Sequence, residues 1–308
     1  METKKIFNKD ISFVSVMRLI ISHRVYFLCT ISVSILISTI YSYTLNDRYS
    51  SESVLQFVYQ DFDVSDKSLS GASGIASIFG IGGSSTGTSM DLLSRNIAES
   101  KDFFEIFYEN DETLKNLMAI KYYDKNLKKI IFNENIYNSK EKEWVRKSIF
   151  FNISKKPTFE ESYNFFHKEV FKISHDKESD LVTFKVKHES PEFAYLFSKE
   201  VIKNLNNLIR TMKVNEAEKS ITFLENKLNQ SNISYLQNNL SQLIEQKIQT
   251  IMLSEISDDF VYKTIDSPRI AEKKESPNRL ILVLLGAIAG FILGAFLLIF
   301  LKTLSKLK

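Results

Sequence analysis

The stretch LILVLLGAIAGFILGAFLLIFL, Leu280–Leu301, runs for 22 residues without a charge. As a helix at 1.5 Å per residue it is about 33 Å long, enough to cross the hydrocarbon core of a bilayer. A buried helix of a soluble core is the competing reading, but such helices rarely stay apolar on every face for so long. The run therefore reads as a membrane span. It also carries Gly286, Gly290 and Gly294, spaced four apart as GxxxGxxxG on one helical face. Without side chains there, another helix can approach closely, so this face is a candidate for helix packing.

A second uncharged run, VYFLCTISVSILISTIYSYTL, lies near the other end of the chain at Val25–Leu45. A cleaved signal peptide would have a shorter basic lead, a shorter apolar part and a small-residue cleavage site after it. The 24 residues ahead of this run carry Lys4, Lys5, Lys9, Arg18 and Arg24, and no such site follows. It reads as an uncleaved span, with Tyr26, Tyr41 and Tyr43 near its ends as interfacial anchors. Its Ser32, Ser34 and Ser38 face is the candidate partner for the glycine face. Lys302, Lys306 and Lys308 follow the second span, so both termini are expected in the cytoplasm.

The organisation is then a cytoplasmic N-terminus at 1–24, a span at 25–45, an exported domain at 46–279, a span at 280–301 and a cytoplasmic tail at 302–308. The chain has a formal charge of +3. Removing the eight basic and two acidic residues of the termini and spans leaves 32 basic and 35 acidic, so the exported domain carries about −3. Neither value suggests nucleic acid. The single cysteine, Cys29, lies inside the first span, so the exported domain has no disulfide to form.

Within that domain YSSESVLQFVYQ, 49–60, places Leu55, Phe57 and Tyr59 on one face at period two and predicts a strand. MDLLSRNIAESKDFFEIFYEN, 90–110, repeats at helical spacing with Ser89 as its cap. From 112 to 168 the chain is dense in charge and aromatics, with helical patterns at KEKEWVRKSIFF and FEESYNFFHKEVF. FKISHD and DLVTFKVKH predict a hairpin in which Val182, Phe184, Val186 and His188 share a face, and His175 could sit opposite His188. Ser190 and Pro191 then open a long helix over about 191–254, striped by Ala194, Phe197, Val201, Leu205, Leu208, Met212, Ile221, Leu224, Leu228, Leu240 and Leu243. Its weak point is NQSN, 229–232. Unbroken, it would be about 95 Å long and would have to project or pack on copies of itself. FVYKTI, 260–265, predicts a strand returning to the membrane, followed by Pro268 and Pro277, which impose extended backbone. Pairing of this strand with the first, in one membrane-proximal sheet, is the economical arrangement.

The remaining glycines gather in SGASGIASIFGIGGSSTGTS, 70–89, including Gly71, Gly74, Gly80, Gly82 and Gly83. A phosphate-binding loop needs G-x-x-x-x-G-K-[ST], and no lysine lies between Lys67 and Ser94. With Ile75, Ile78, Phe79 and Ile81 inserted, the stretch reads as a loop that docks on a neighbouring subunit or the bilayer surface. The four histidines lack metal-ligand spacing, and no nucleophile–base motif occurs, so no metal, no cofactor and no enzymatic activity are expected.

These features together resemble the bacterial chain-length determinants, or polysaccharide co-polymerases (Wzz-like). The likeness rests on the basic N-terminus and span followed by RYSSESVL, on HESPEFAYLFSKEVIKNLNNLIR and KSITFLENKL, on the glycine loop, and above all on FVYKTIDSPRIAEKKESPNRLILVLLGAIAGFILG. It implies an α+β membrane protein of the bacterial inner membrane, with two transmembrane helices flanking a periplasmic domain. That domain would have a membrane-proximal α/β part and a long protruding helix. The resemblance further implies rings of identical subunits that set the length of a glycan, carried on a lipid, made by a separate membrane polymerase. O-antigen of lipopolysaccharide is the expected polymer, and a component of capsule or exopolysaccharide export is the alternative. Seven residues follow Leu301, so any kinase domain is expected on a separate protein. A two-span sensor would need a cytoplasmic output domain.

Overall fold

The computed structural model describes residues 24–58, 86–146, 154–230, 233–256 and 259–305. In chain order these form helix α1 (Arg24–Thr44), strand β1 (Tyr49–Phe57) and helices α2 (Thr86–Ala98), α3 (Lys101–Tyr108) and α4 (Asp111–Met118). Four short strands follow: β2 (Ile120–Asp124), β3 (Lys129–Phe132), β4 (Tyr137–Asn138) and β5 (Glu143–Trp144). Helix α5 (Phe159–Phe165) runs through a π-helical turn (Phe166–Val170) into β6 (Phe171–Asp176) and β7 (Leu181–His188). The chain closes with α6 (Pro191–Gln230), α7 (Ser234–Ile256), β8 (Tyr262–Asp266) and α8 (Arg279–Ser305). Two compact units result, Met1–Asp47 with Lys274–Lys308, and Arg48–Lys273.

The first unit pairs α1 with α8. Both are long and apolar enough to cross a membrane, with mean hydropathies of 1.8 over Val25–Thr44 and 2.8 over Arg279–Leu298. Only 11% of each span is buried against protein, so most of its apolar surface is left for lipid. That is the opposite of a soluble core helix. Cys29 is among the exposed residues of α1.

The second unit is built on a four-stranded antiparallel sheet of order β6-β7-β1-β8. In β7, Val182, Phe184, Val186 and His188 are buried and the alternate residues are not, as period-two patterning requires. β1 lies centrally, turning Tyr49, Ser51, Ser53 and Leu55 inward. Its other edge pairs with β8, Leu55 opposite Thr264 and Phe57 opposite Tyr262. The strands nearest the two spans in sequence are thus partners in one sheet. His175 lies opposite Val182, and His188 opposite Tyr49, so the two histidines do not face each other.

The buried half of α6 packs on this sheet. Ser190 Oγ accepts from the Phe193 N–H at 3.2 Å, opening the helix. Ala194, Phe197, Val201, Leu205 and Ile209 then join Leu55, Phe184 and Val261 in the core. Phe103, Phe104 and Phe107 of α3 and Phe166 complete it, with ring centroids 5.0 Å apart for Phe104–Phe166 and for Phe107–Phe197.

Three sequence expectations change here. The helix expected at 90–110 is two: α2 starts at Thr86, placing Ser89 inside it, and Ser100 caps α3 by accepting from the Phe103 N–H. Ser89 is therefore not the cap. KEKEWVRKSIFF is not helical in its described part, where Glu143–Trp144 is a strand; 147–153 lie outside the described residues. The long helix is not continuous over 191–254. It stops at Gln230, and α7 folds back along it, with Leu224 packed on Leu240 and Leu243, and Leu228, Leu236 and Ile244 around them. Met212, expected in the stripe, is 47% exposed, and Ile209 takes the inward position.

Candidate functional site

Among the described residues two structural devices stand out. The first is the glycine face of α8. A Cβ at Gly286 would lie 2.6 Å from Ser38 Oγ, one at Gly290 2.6 Å from Ser34 Cβ, and one at Gly294 2.6 Å from Thr30 Oγ1. All three glycines therefore face α1 at a separation that admits no side chain. The hydroxyls that fill this seam turn to the partner backbone: Ser34 Oγ donates to Gly286 O at 2.6 Å, and Ser38 Oγ donates to Leu282 O at 2.7 Å. In a bilayer, where apolar surface gains little from helix–helix contact, close packing and such bonds supply the association. The polar row is Thr30, Ser34 and Ser38, one turn apart. Ser32, grouped with the last two from sequence, is exposed on another face.

The same hairpin is closed by charge. Asp47, just past α1, accepts from Lys274 Nζ at 2.8 Å and from Arg279 Nη2 at 3.1 Å. The Arg279 guanidinium also lies 4.6 Å from the Tyr43 ring centroid. Pro277, in the segment leading to Arg279, follows a cis peptide bond.

The second device holds the returning chain. Asn206, on the buried face of α6, accepts on Oδ1 from the N–H groups of Val261 and Tyr262, both at 2.9 Å. Its Nδ2 donates to Tyr262 O at 3.1 Å. One amide thus satisfies three backbone groups where the chain enters β8. Tyr262 continues the network through its hydroxyl, 2.7 Å from Ser94 Oγ and 3.2 Å from Asp91 Oδ1 on α2. Burial pushes the Tyr262 phenol well above its ordinary pKa, so it stays a donor. Sequence reading missed Asn206; its signal was an amide beside Leu205 in an otherwise apolar stripe. Beside it opens a cleft of about 450 Å³, lined in part by Lys199, Lys203, Asp259 and the buried Pro268.

His188 is fully buried at the end of β7. The Ser190 N–H donates to its Nδ1 at 3.0 Å, which leaves the proton on Nε2 to donate to Asn116 O at 3.0 Å. Burial depresses its pKa, so the neutral imidazole is the stable form. Arg48 lies close by in sequence to β1 and pairs with Glu169 at 2.6 Å and Glu189 at 3.1 Å. Among the described residues no group of three His, Cys, Asp or Glu is placed to hold a metal. The loop glycines Gly71, Gly74, Gly80, Gly82 and Gly83, with Tyr59 and His23, lie outside the described residues.

No family model and no curated protein matches the chain. Solved structures do. A full-length bacterial polysaccharide co-polymerase is similar at 13% identity, over 95% of this chain and 98% of that one, with a TM-score of 0.37. A fragment of WzzB, the polysaccharide co-polymerase from Salmonella Typhimurium, is similar at 14% identity, over 75% of this chain and all of the fragment, with a TM-score of 0.31. Both similarities are to polysaccharide co-polymerases.

Proposed function

We propose that this chain is a non-enzymatic regulator of polysaccharide chain length, acting on the O-antigen of lipopolysaccharide as a homo-oligomer beside a membrane polymerase. The observation that carries the reading is the way one sheet is tied to two spans. β1 begins five residues after α1, β8 is the last strand before α8, and the two strands pair. A domain joined in sequence to a membrane span at each end is suited to stay beside a polymer growing at the membrane. The signature segment running from FVYKTI into the glycine-bearing span supports the same reading.

Exposed apolar side chains support the self-association. On α6 and α7, Met212, Phe223, Tyr235, Ile248 and Met252 are between 44% and 63% exposed. These exposed apolar side chains are contact points that another copy could cover. The termini lie in the cytoplasm of a bacterium, the spans in its inner membrane and the sheet and hairpin in the periplasm, by the basic residues flanking the spans.

Deleting the gene and resolving surface glycans by gel separates the two polymers in play. Loss of a clustered set of long lipopolysaccharide bands, with capsule and secreted polymer retained, is the expected result. An unchanged lipopolysaccharide ladder with capsule or secreted polymer lost from the surface would instead favour the export function.

A further inference from the structure

Residues 120–146 form two small hairpins, β2–β3 and β4–β5, outside the main sheet. This segment carries five aromatics, Tyr122, Tyr123, Phe132, Tyr137 and Trp144, the last being the only tryptophan of the chain. Not one residue from 120 to 146 is buried. Tyr123 is used to attach the segment: its hydroxyl bonds Glu192 at the start of α6, and its ring lies 6.5 Å from that of Tyr49. The other rings on the β3–β5 side gather into a row, with centroids 6.0 Å apart for Phe132–Tyr137 and 5.2 Å for Tyr137–Trp144. Lys115 Nζ, from α4, stands 5.1 Å from the Phe132 ring and 5.8 Å from the Tyr137 ring.

An aromatic side chain stabilises a fold mainly by leaving water. Phe132, Tyr137 and Trp144 pack on one another but stay outside the buried core and keep part of their surface in water. They are nevertheless held in place. Asn138 Oδ1 accepts from the N–H groups of Lys140 and Glu141, closing the β4–β5 turn, and the Val145 N–H donates to Ile136 O at 3.0 Å. The row is a set of rings inclined at 58° and 76° to their neighbours, carried on a hydrogen-bonded turn.

We propose that the Phe132–Tyr137–Trp144 row is a saccharide-binding site, on which sugar rings of the regulated polymer stack. This rests on the polysaccharide reading above and names where the chain meets the glycan. The C–H face of a pyranose is weakly positive and matches the negative face of an aromatic ring. Its hydroxyls need donors and acceptors; Lys115 Nζ stands at the rings, and Asn135 and Glu143 are exposed in the same two hairpins. A protein partner fits less well: Glu134, Lys140, Glu141, Lys142 and Glu143 crowd the stretch 133–143, and lysine and glutamate are depleted from protein interface cores.

Because Trp144 is the only tryptophan, its fluorescence reads the site directly in the full chain in detergent micelles. The probes are lipid-free O-chains released by mild acid from lipopolysaccharide of the producing strain and, in parallel, fragments of its secreted polymer. A saturable change in Trp144 emission with one of them is expected. Tyr137→Ala should weaken it roughly tenfold, about the loss of one stacked ring, while Tyr137→Phe keeps it. Asn135→Ala and Glu143→Ala, at exposed positions that leave the fold intact, should each weaken it roughly threefold. No saturable change with either polymer, or a change undiminished in Tyr137→Ala and both of these variants, overturns the site. Failure of this titration while length control is intact removes the site alone. Binding without any effect on glycan length removes the regulator reading instead.

Discussion

Gly290 is where the account of the membrane hairpin is most exposed to test. A Cβ there would sit 2.6 Å from Ser34 Cβ and 3.1 Å from Ile31 Cα. The second atom is backbone, so no change of rotamer relieves the clash, and the helices must separate by more than an ångström for alanine and further for leucine. Separation breaks the Ser34–Gly286 and Ser38–Leu282 bonds, at about 0.6 kcal/mol each in a bilayer. Loss of the close backbone contact adds a comparable amount, giving roughly 2–3 kcal/mol for Gly290→Leu. Phe27 and Phe291, whose rings lie 5.4 Å apart across the same seam, offer a readout. With Cys29→Ser as background, Phe27→Cys and Phe291→Cys can be joined by a short bis-maleimide in native membranes. Efficient joining in the parent, partial joining with Gly290→Ala and little with Gly290→Leu is the expected order. Ile288→Leu, at a lipid-exposed position of α8, should leave joining unchanged. Equal joining in Gly290→Leu and its parent would refute the packing argument, and a normal glycan length distribution at normal protein level would refute a role for the seam in function.

Asn206→Ala strands two buried N–H groups and is expected to cost about 2–4 kcal/mol, read as a lower denaturant midpoint; Asn206→Asp, which keeps both acceptor bonds, should cost less. His188 has a folded pKa below its unfolded value of about 6.5, because burial penalises the charged ring. The unfolded state therefore binds the extra proton, and the associated stability, complete above about pH 6.5, is lost as pH falls from there towards the folded pKa. Denaturant midpoints at pH 8 and pH 5 should show that loss, and His188→Gln should lessen it. Leu240→Ala should destabilise the α6–α7 hairpin by about 2–4 kcal/mol, with hydrogen exchange rising around Leu224 and Leu243 but not around Phe184 or Val201.

The parts of the fold legible in the sequence are those set by long or strict patterns. Two uncharged runs fixed the spans, because no other environment tolerates that length of apolar surface. Alternation in 181–188 and in 49–57 fixed two strands and their inward faces, and Ser190–Pro191 marked the start of α6. The fold-back at 229–232 was not legible, since an apolar stripe keeps its period whether a helix runs on or returns along itself. Only the pairing of Leu224 with Leu240 and Leu243 distinguishes the two. The segment 120–146 escaped because β4 and β5, of two residues each, are too short to show a period and none of its residues is buried to mark an inward face. Of the seam, Ser34 and Ser38 could be named, but Thr30 could not. Ser32 looked equivalent in composition, and only the angle of approach of α8 separates them.

We propose that this chain sets the length of a glycan without making it. Complementing the deletion strain with the wild-type gene, then measuring both total O-antigen and its band distribution on one gel, tests this directly. Recovery of a cluster of long bands at unchanged total polymer is the result expected of a regulator. Total polymer that rises and falls with the gene, with the shape of the distribution unaltered, would contradict the account.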